Sequence, residues 1–473
     1  MTPRLETKIW ALVEAKQAAF WALSDQVWGT PELNYREHRS SEAHGAVLEA
    51  EGFKVSRGFG GLPTALLGEA GESGPVIAIL GEYDALPGLS QQAGILEPVP
   101  IAADGNGHGC GHNLLGAGAL LAATAVKDYL ETARIPGRVR YYGCPAEEGG
   151  SGKGFLVRAG AFDGVDIAIT WHPAPFTGVA NPVSLACSEV NFHFTGRGSH
   201  AGSTPHLGRS ALDAVELMNV GANYMREHMP SRARIHYAII DAGGVAPNVV
   251  QAKATVRYLV RGGSVQELQT LLRRVEKIAE GAALMTETRV RWQVVTGEAN
   301  LVGNTPLERL MHAHLDLLGP PQFDDADRAF AARFQKTFTD DDIRTSYAAF
   351  GLKPSKDAAL CDFVFPPESG DGTLVTSTDV GNVSWIVPTV QLRSATFAIG
   401  TPGHSWQLVA QGKAPAAHKG MAHAAKIMAS VAVSLLCQPE LIREAKDDHR
   451  RRLQETPFID PIPEGARPEL PMH

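Results

Sequence analysis

The chain gathers its potential ligand chemistry in five short stretches. The densest is GHGCGHN (107–113), where His108, Cys110 and His112 alternate with glycines. His108 and His112 stand four apart, as in a helical zinc motif. Three glycines within seven residues argue against a helix, since each costs about 1 kcal/mol relative to alanine. An extended backbone would instead turn His108, Cys110 and His112 to one side, with the glycines letting the main chain crowd a cation. Asn113 precedes a strong helical pattern and is a good N-cap, so Cys110 sits just ahead of a helix N-terminus, which favours its thiolate. A glycine-rich turn with incidental histidines is the plain alternative.

The other four stretches are CPAEEGG (144–150), with adjacent carboxylates Glu147 and Glu148; TWHP (170–173), with His172; GTPGHSW (400–406), with His404; and GEYDALPG (81–88), with Glu82 and Asp84. Neighbouring carboxylates can divide a cation and a proton between them, or simply form a charged loop. A lone histidine is more often structural than a ligand. Taken jointly, the pattern favours a site. Each cluster follows an expected strand, or precedes a helix, at the edge where open α/β sheets bind ligands. A convergent Cys/His/Glu/His/His set suits one or two divalent metals. A Cys–His nucleophile pair at Cys110 is the competing chemistry, but a cysteine inside a ligand set is better used as a ligand. Neither a Walker lysine motif nor a G-x-G-x-x-G run opening a helix after a strand is present.

Positioning such a set requires an α/β frame. Expected strands are 75–86, 138–144, 165–171 and 394–400, alternating with helices near Leu5, over 114–130 and over 307–319. Apolar strands interleaved with helices imply a mostly parallel sheet covered on both faces. Between about 188 and 298 the pattern changes. VNFHFTG (190–196), RIHYAII (234–240), QAKATVRYLVR (251–261) and RVRWQVV (289–295) read as strands. Helices start at Ser210 and at Ser264, where Glu267 completes a capping box. This β-α-β-β-α-β order is the ferredoxin-like unit, an α+β domain inserted at 188–298 between two parts of a catalytic domain, 1–187 and 299–473. Residues 320–372 read as an irregular excursion, and the Pro-rich tail as extended.

Composition narrows the function. With 473 residues and a net charge of −8, the chain suggests neither a nucleic-acid binder nor a membrane-surface protein. Its charged N-terminus lacks a signal-peptide core. The longest apolar run (114–126) is short of the ~20 residues that span a bilayer. Five cysteines, an odd number at wide spacings, do not suggest a disulfide framework. A cytoplasmic protein is expected.

The stretches GHGCGHN, CPAEEGGSG, TWHP, GRGSHAGSTPHLGRSALDA and GTPGHSWQLV together resemble the dinuclear metallopeptidase and aminoacylase family, which includes glutamate carboxypeptidases and indole-acetyl-amino-acid hydrolases. The likeness extends from about residue 10 to 440. It implies a zinc-peptidase-like catalytic domain and two divalent metal ions, zinc or manganese, held by Cys110, His112, Glu148, His172 and His404. His108 leaves the ligand set on this ground alone. Glu147 matches the general base. His200 of GSHAG matches a histidine that reaches a partner subunit's site, and Asn248 and Arg261 match substrate-holding positions. Glu82 and Asp84 fall where other branches carry a His-x-Asp pair. The implied reaction is hydrolysis of an amide bond in an N-acyl amino acid bearing a carboxylate, p-aminobenzoyl-glutamate or a similar conjugate or dipeptide. The implied assembly is a homodimer through 188–298, or a pairing with a related subunit. Hydrolysis of other aromatic amides or dipeptides, and a non-catalytic metal-binding regulatory or structural role, are the alternatives.

Overall fold

The apolar run VIAILGE (76–82) is buried at every position, as a strand covered on both faces must be. In the computed structural model, which describes residues 5–355, 358–367 and 376–470, it lies near the middle of a seven-stranded sheet. The described strands are β1 (Lys54–Arg57), β2 (Leu66–Ala70), β3 (Val76–Glu82), β4 (Arg138–Cys144), β5 (Ile167–Ala174), β6 (Gly178–Val179), β7 (Ala186–Thr195), β8 (Arg234–Asp241), β9 (Lys253–Gly262), β10 (Arg289–Glu298) and β11 (Thr389–Ala395). The large sheet runs β1-β2-β4-β3-β5-β11-β6. Its four central strands are mutually parallel, and the antiparallel strands lie at the edges.

Alternation along β3 builds the layers. Ile77 and Ile79 face a core shared with helices Leu5–Trp28, His112–Ala133 and Pro415–Cys437, whereas Ala78 and Leu80 face a second core with Phe155, Phe162 and Val383. Successive strand residues point to opposite faces, so one strand serves both cores. Pro415–Cys437 is long and apolar enough to cross a membrane by length and composition, but 89% of its most apolar window is buried inside the protein. It is the central helix of the first core.

The second sheet runs β10-β7-β9-β8, all antiparallel, with helices Ala211–Met225 and Val265–Thr286 on one face. This is the expected ferredoxin-like order. The hydroxyl oxygens of Ser210 and Ser264 accept from the N–H groups of Asp213 and Glu267, caps worth about 1 kcal/mol each. The box expected at Ser264 is not reciprocal: the Glu267 carboxylate accepts from Gly263 N–H, one residue earlier, at 3.0 Å.

Two further expectations are corrected. The strand placed at 394–400 lies at Thr389–Ala395, because Gln391 and Arg393 interrupt the apolar run that would have announced it. The excursion at 320–372 contains helices Asp325–Gln335 and Asp340–Ala349, each opened by a reciprocal capping box, Asp324 with Asp327 and Thr339 with Asp342. Their acidic first turns suit a helix dipole but resemble loop composition. Residues 356–357 and 368–372 of that stretch, and 471–473 of the tail, lie outside the described residues.

Candidate metal centre

Five segments deliver side chains to the carboxyl ends of β3, β4 and β5. GHGCGHN crosses this edge as a loop, and Gly111, with φ +79°, turns it into the helix His112–Ala133. A left-handed φ favours glycine, and it starts the helix two residues before the expected position. Asn113 is therefore not the N-cap. It is buried in the first turn and donates from Nδ2 to Ser24 Oγ and the Gly412 carbonyl. Gly109 makes room for another loop rather than for an ion: a Cβ there would lie 3.3 Å from the Cα of His404, whose N–H donates to the Gly109 carbonyl at 3.0 Å. His108 turns away, its Nε2 3.1 Å from the Val27 carbonyl.

The ligand atoms converge. Cys110 Sγ lies 3.3 Å from His172 Nε2. His112 Nε2 lies 3.3 Å from Glu82 Oε2, and 3.9 Å from both Glu147 Oε2 and Glu148 Oε1. His404 Nε2 lies 3.4 Å from Glu148 Oε2. Three triples have donor atoms within 4.8 Å of one another: Cys110, His112 and His172; Cys110, Glu148 and His404; and Glu82, His112 and Glu147. Cys110 belongs to two of them, His112 to two.

The site fits cations by its unmet needs. His112 Nε2, Glu82 Oε2 and Glu148 Oε1 are buried with no hydrogen-bond partner, a costly state for polar atoms inside a protein. The far side of each inner ring is already occupied, as metal-ligating histidines require. His112 Nδ1 meets Asp84 Oδ1 at 2.8 Å, and His172 Nδ1 meets the Pro173 carbonyl at 2.7 Å. Thiolate, imidazole and carboxylate donors suit divalent transition ions.

Burial, then the charge of Glu148, pushes the Cys110 thiol up, the reverse of the thiolate expected from its place ahead of the helix. Burial opposes a charged His112, yet Cys110 and Asp84 together hold its pKa well above the usual imidazole range. Burial, then the charge of Arg393, holds His172 well below it. Glu147 is pushed well above the ordinary carboxyl range by burial and by the negative charges of Glu82, Asp379 and Glu148. The backbone presenting Glu147 is strained. Ala146 takes φ +56°, and its N–H donates to the buried carboxylate of Glu37 at 2.9 Å. Such conformations in non-glycine residues cluster at functional sites.

Sequence reasoning missed a buried ion triad behind the cluster. Lys153 Nζ lies 2.5 Å from Glu82 Oε1 and 2.7 Å from Asp379 Oδ1, with all three side chains buried. Glu82 thus has one oxygen paired and one facing His112. Residues 82, 153 and 379 meet only through the fold, so no local spacing could have announced them.

In front of the cluster opens a cavity of about 810 Å3, lined by Cys110, Glu147, Glu148, His172 and His404 and reached by Arg261 from β9. Arg261 Nη1 donates to Ser377 Oγ at 2.7 Å. His200 and Asn248 are not brought there. Both are exposed, outside the cavity lining, and neighbours of each other through the Ala201 N–H to Asn248 carbonyl bond of 3.0 Å.

A family model for peptidase family M20/M25/M40 matches residues 78–298. A p-aminobenzoyl-glutamate hydrolase subunit of Escherichia coli (strain K12) is 46% identical over 466 residues, covering 96% of this chain and 97% of that protein. The chain belongs to peptidase family M20/M25/M40. A second relative, the Xaa-Arg dipeptidase of Mus musculus, is 30% identical over 93% of this chain and 90% of its own length. A Bacillus subtilis structure described as a dinuclear metal binding peptidase from the M20 family has the same fold, with a TM-score of 0.55 and 18% identity over 89% of this chain and 99% of that one. This M20 chain is a hydrolase of amide bonds.

Proposed function

We propose that the chain hydrolyses N-acyl amino acids, with p-aminobenzoyl-glutamate and similar aryl conjugates as the preferred class, at a pair of divalent ions. Cys110, His112 and His172 would hold one ion, and Cys110, Glu148 and His404 the other. The observation that carries this reading is the double membership of Cys110, together with the position of Glu147 outside both of its triples on the cavity wall. Two ions at these donors would polarise the scissile carbonyl and acidify a water. A thiolate with imidazoles favours zinc, and the carboxylates suit manganese as well.

The protein's own groups do the rest. Glu147 takes a proton from water and passes it to the leaving amine, the acid–base task of a carboxyl placed beside the reacting atoms. Arg261 gives one N–H to Ser377 and keeps the others for the α-carboxylate of the substrate, which a guanidinium can grip with two parallel bonds. Asn248 and His200 come from a second copy, or from a related subunit, and His200 donates to the tetrahedral oxyanion. Two features support this pairing. His200 is remote from the chain's own cavity. The inserted sheet also leaves an edge strand, β8, with Ile239 45% and Ile240 51% exposed, beside a helix with Tyr224 74% exposed. Unpaired strand edges of this kind pair with another chain. The Escherichia coli relative is itself named as one subunit of a hydrolase. The five cysteines are all unpaired, which suits the reducing cytoplasm.

The test is a panel of N-acyl amino acids and dipeptides, assayed for released amine after loading with zinc or with manganese. Glu147→Gln should cut turnover by about 10²–10⁴-fold while bound metal, counted by elemental analysis, stays near the native content. Full activity in Glu147→Gln, or in protein stripped of metal, would remove the reading.

A further inference from the structure

The charges on the cavity wall are unevenly satisfied. Asp341 is paired with Arg344, and Asp342 accepts from the backbone and side chain of Thr339. Glu189 faces Arg257 at 3.6 Å. Glu298 accepts from Ser151 Oγ at 3.4 Å, and burial raises it to about 8, so it is neutral near pH 7. Arg234 donates to the Ser231 and Ala233 carbonyls, each at 2.7 Å, and Arg261 to Ser377. Arg393 is the exception. It lines this cavity and a smaller adjoining pocket of about 70 Å3. Among the described residues its guanidinium has no hydrogen bond or ion pair, although its backbone belongs to the β5–β11 ladder.

Its position is fixed by the sheet. Arg393 on β11 pairs in register with His172 on β5, in a parallel ladder. Residues paired in this way project from the same face, so the guanidinium stands beside a candidate metal ligand. Arg261 comes from the other sheet. The cavity therefore carries one partly engaged guanidinium from the insert and one unengaged guanidinium from the central sheet.

We propose that Arg393 is a specificity-determining residue that binds the side-chain carboxylate of an acidic amino acid in the substrate, so that the pocket selects N-acyl derivatives of dicarboxylic amino acids. This rests on the amide-hydrolase reading, in which Arg261 holds the α-carboxylate. A carboxylate supplies the bidentate partner that a half-buried guanidinium lacks. A neutral side chain of the same shape leaves the guanidinium without that partner, and sites built for a polar group reject analogues lacking it. A basic side chain, such as a substrate of the Xaa-Arg type would present, finds the wall acids Asp341 and Asp342 already engaged and meets Arg393 as a like charge.

The experiment compares N-(4-aminobenzoyl)-glutamate with N-(4-aminobenzoyl)-glutamine on the metal-loaded full chain, reading the ratio of their kcat/KM values. The native enzyme should favour the glutamate compound. Arg393→Gln should lower that ratio by at least about 30-fold, the range seen when one partner of a buried charged pair is truncated. Arg393→Lys, which keeps the charge and loses the fork, should fall between. Because both substrates are measured on one preparation, a partly unfolded fraction cancels from the ratio. A native enzyme that treats the two compounds alike, or a ratio unmoved in Arg393→Gln, overturns the assignment of Arg393 and leaves amide hydrolysis standing. A native enzyme that releases amine from no N-acyl amino acid overturns the functional reading, and this assignment with it.

Discussion

Asp84 ties together residues from both candidate ligand triples: Oδ1 lies 2.8 Å from His112 Nδ1, and Oδ2 accepts the backbone N–H of Glu148 at 2.9 Å. One carboxylate thereby sets the ring orientation of one ligand and the backbone of another. Its pKa is held below the ordinary range: burial pushes it up, but His112 and its hydrogen bonds prevail.

Asp84→Asn should weaken metal binding by about 10–100-fold, the usual cost of losing such an orienting partner. Competition with a chromophoric chelator measures it. Unchanged affinity would show that Asp84 is only a packing residue.

Lys153→Met should destabilise the fold by about 3–5 kcal/mol, because it leaves Glu82 and Asp379 buried without their shared counter-ion. Urea denaturation of the variant reads this. The triple change Lys153→Met, Glu82→Gln, Asp379→Asn should recover part of the loss. A single variant as stable as the native chain would mean that the triad carries no such cost.

Mixing should restore activity if His200 acts across an interface. Glu147→Ala and His200→Ala chains are each expected to be nearly inactive. After co-refolding, a hybrid dimer contains one site with both residues native, so about a quarter of native activity should return at equal mixing. No recovery in a mixture that has formed hybrid dimers would place His200 outside the partner's site.

Stability should fall as pH rises through a window set by Glu298. In the folded chain burial raises its pKa from the ordinary carboxyl value to about 8. Between those values the native state holds a proton that the unfolded chain has released, so raising the pH favours unfolding. Glu298→Gln removes this loss. Its Tm relative to native should therefore rise between about pH 5 and about pH 8, by calorimetry. A difference that is flat or falls with pH would contradict the burial effect.

Much of the frame was legible because local pattern and global fold agree. The run 138–144 is a strand over those same residues, and Ser210 and Ser264 cap the helices they were expected to cap. Cys110, His112, Glu147, Glu148, His172 and His404 could be gathered from their expected places at a strand end or just before a helix, since the crevice of an open sheet is a topological fact, although His172 lies inside β5, near its end. What stayed hidden has two physical causes. Function disguised β11: Gln391 and Arg393 face the cavity, and a strand that surrenders two positions to polar groups loses its apolar signature. Distance hid the rest. Glu82, Lys153 and Asp379 form one triad with no spacing in common, and the wall of the cavity at Asp341 and Asp342 comes from a helix whose acidic start imitates a loop.

The parallel order β4-β3-β5-β11 also has a consequence during synthesis. The first triple, Cys110 with His112 and His172, is complete once β5 has left the ribosome. The second needs His404, after the whole insert and β11 have emerged. Through that stretch of translation Glu148 still lacks its histidine, and the core helix Pro415–Cys437 has yet to follow. Chains that stop short of β11 would carry the residues of the first triple but lack both the histidine of the second and the helix at the centre of the core.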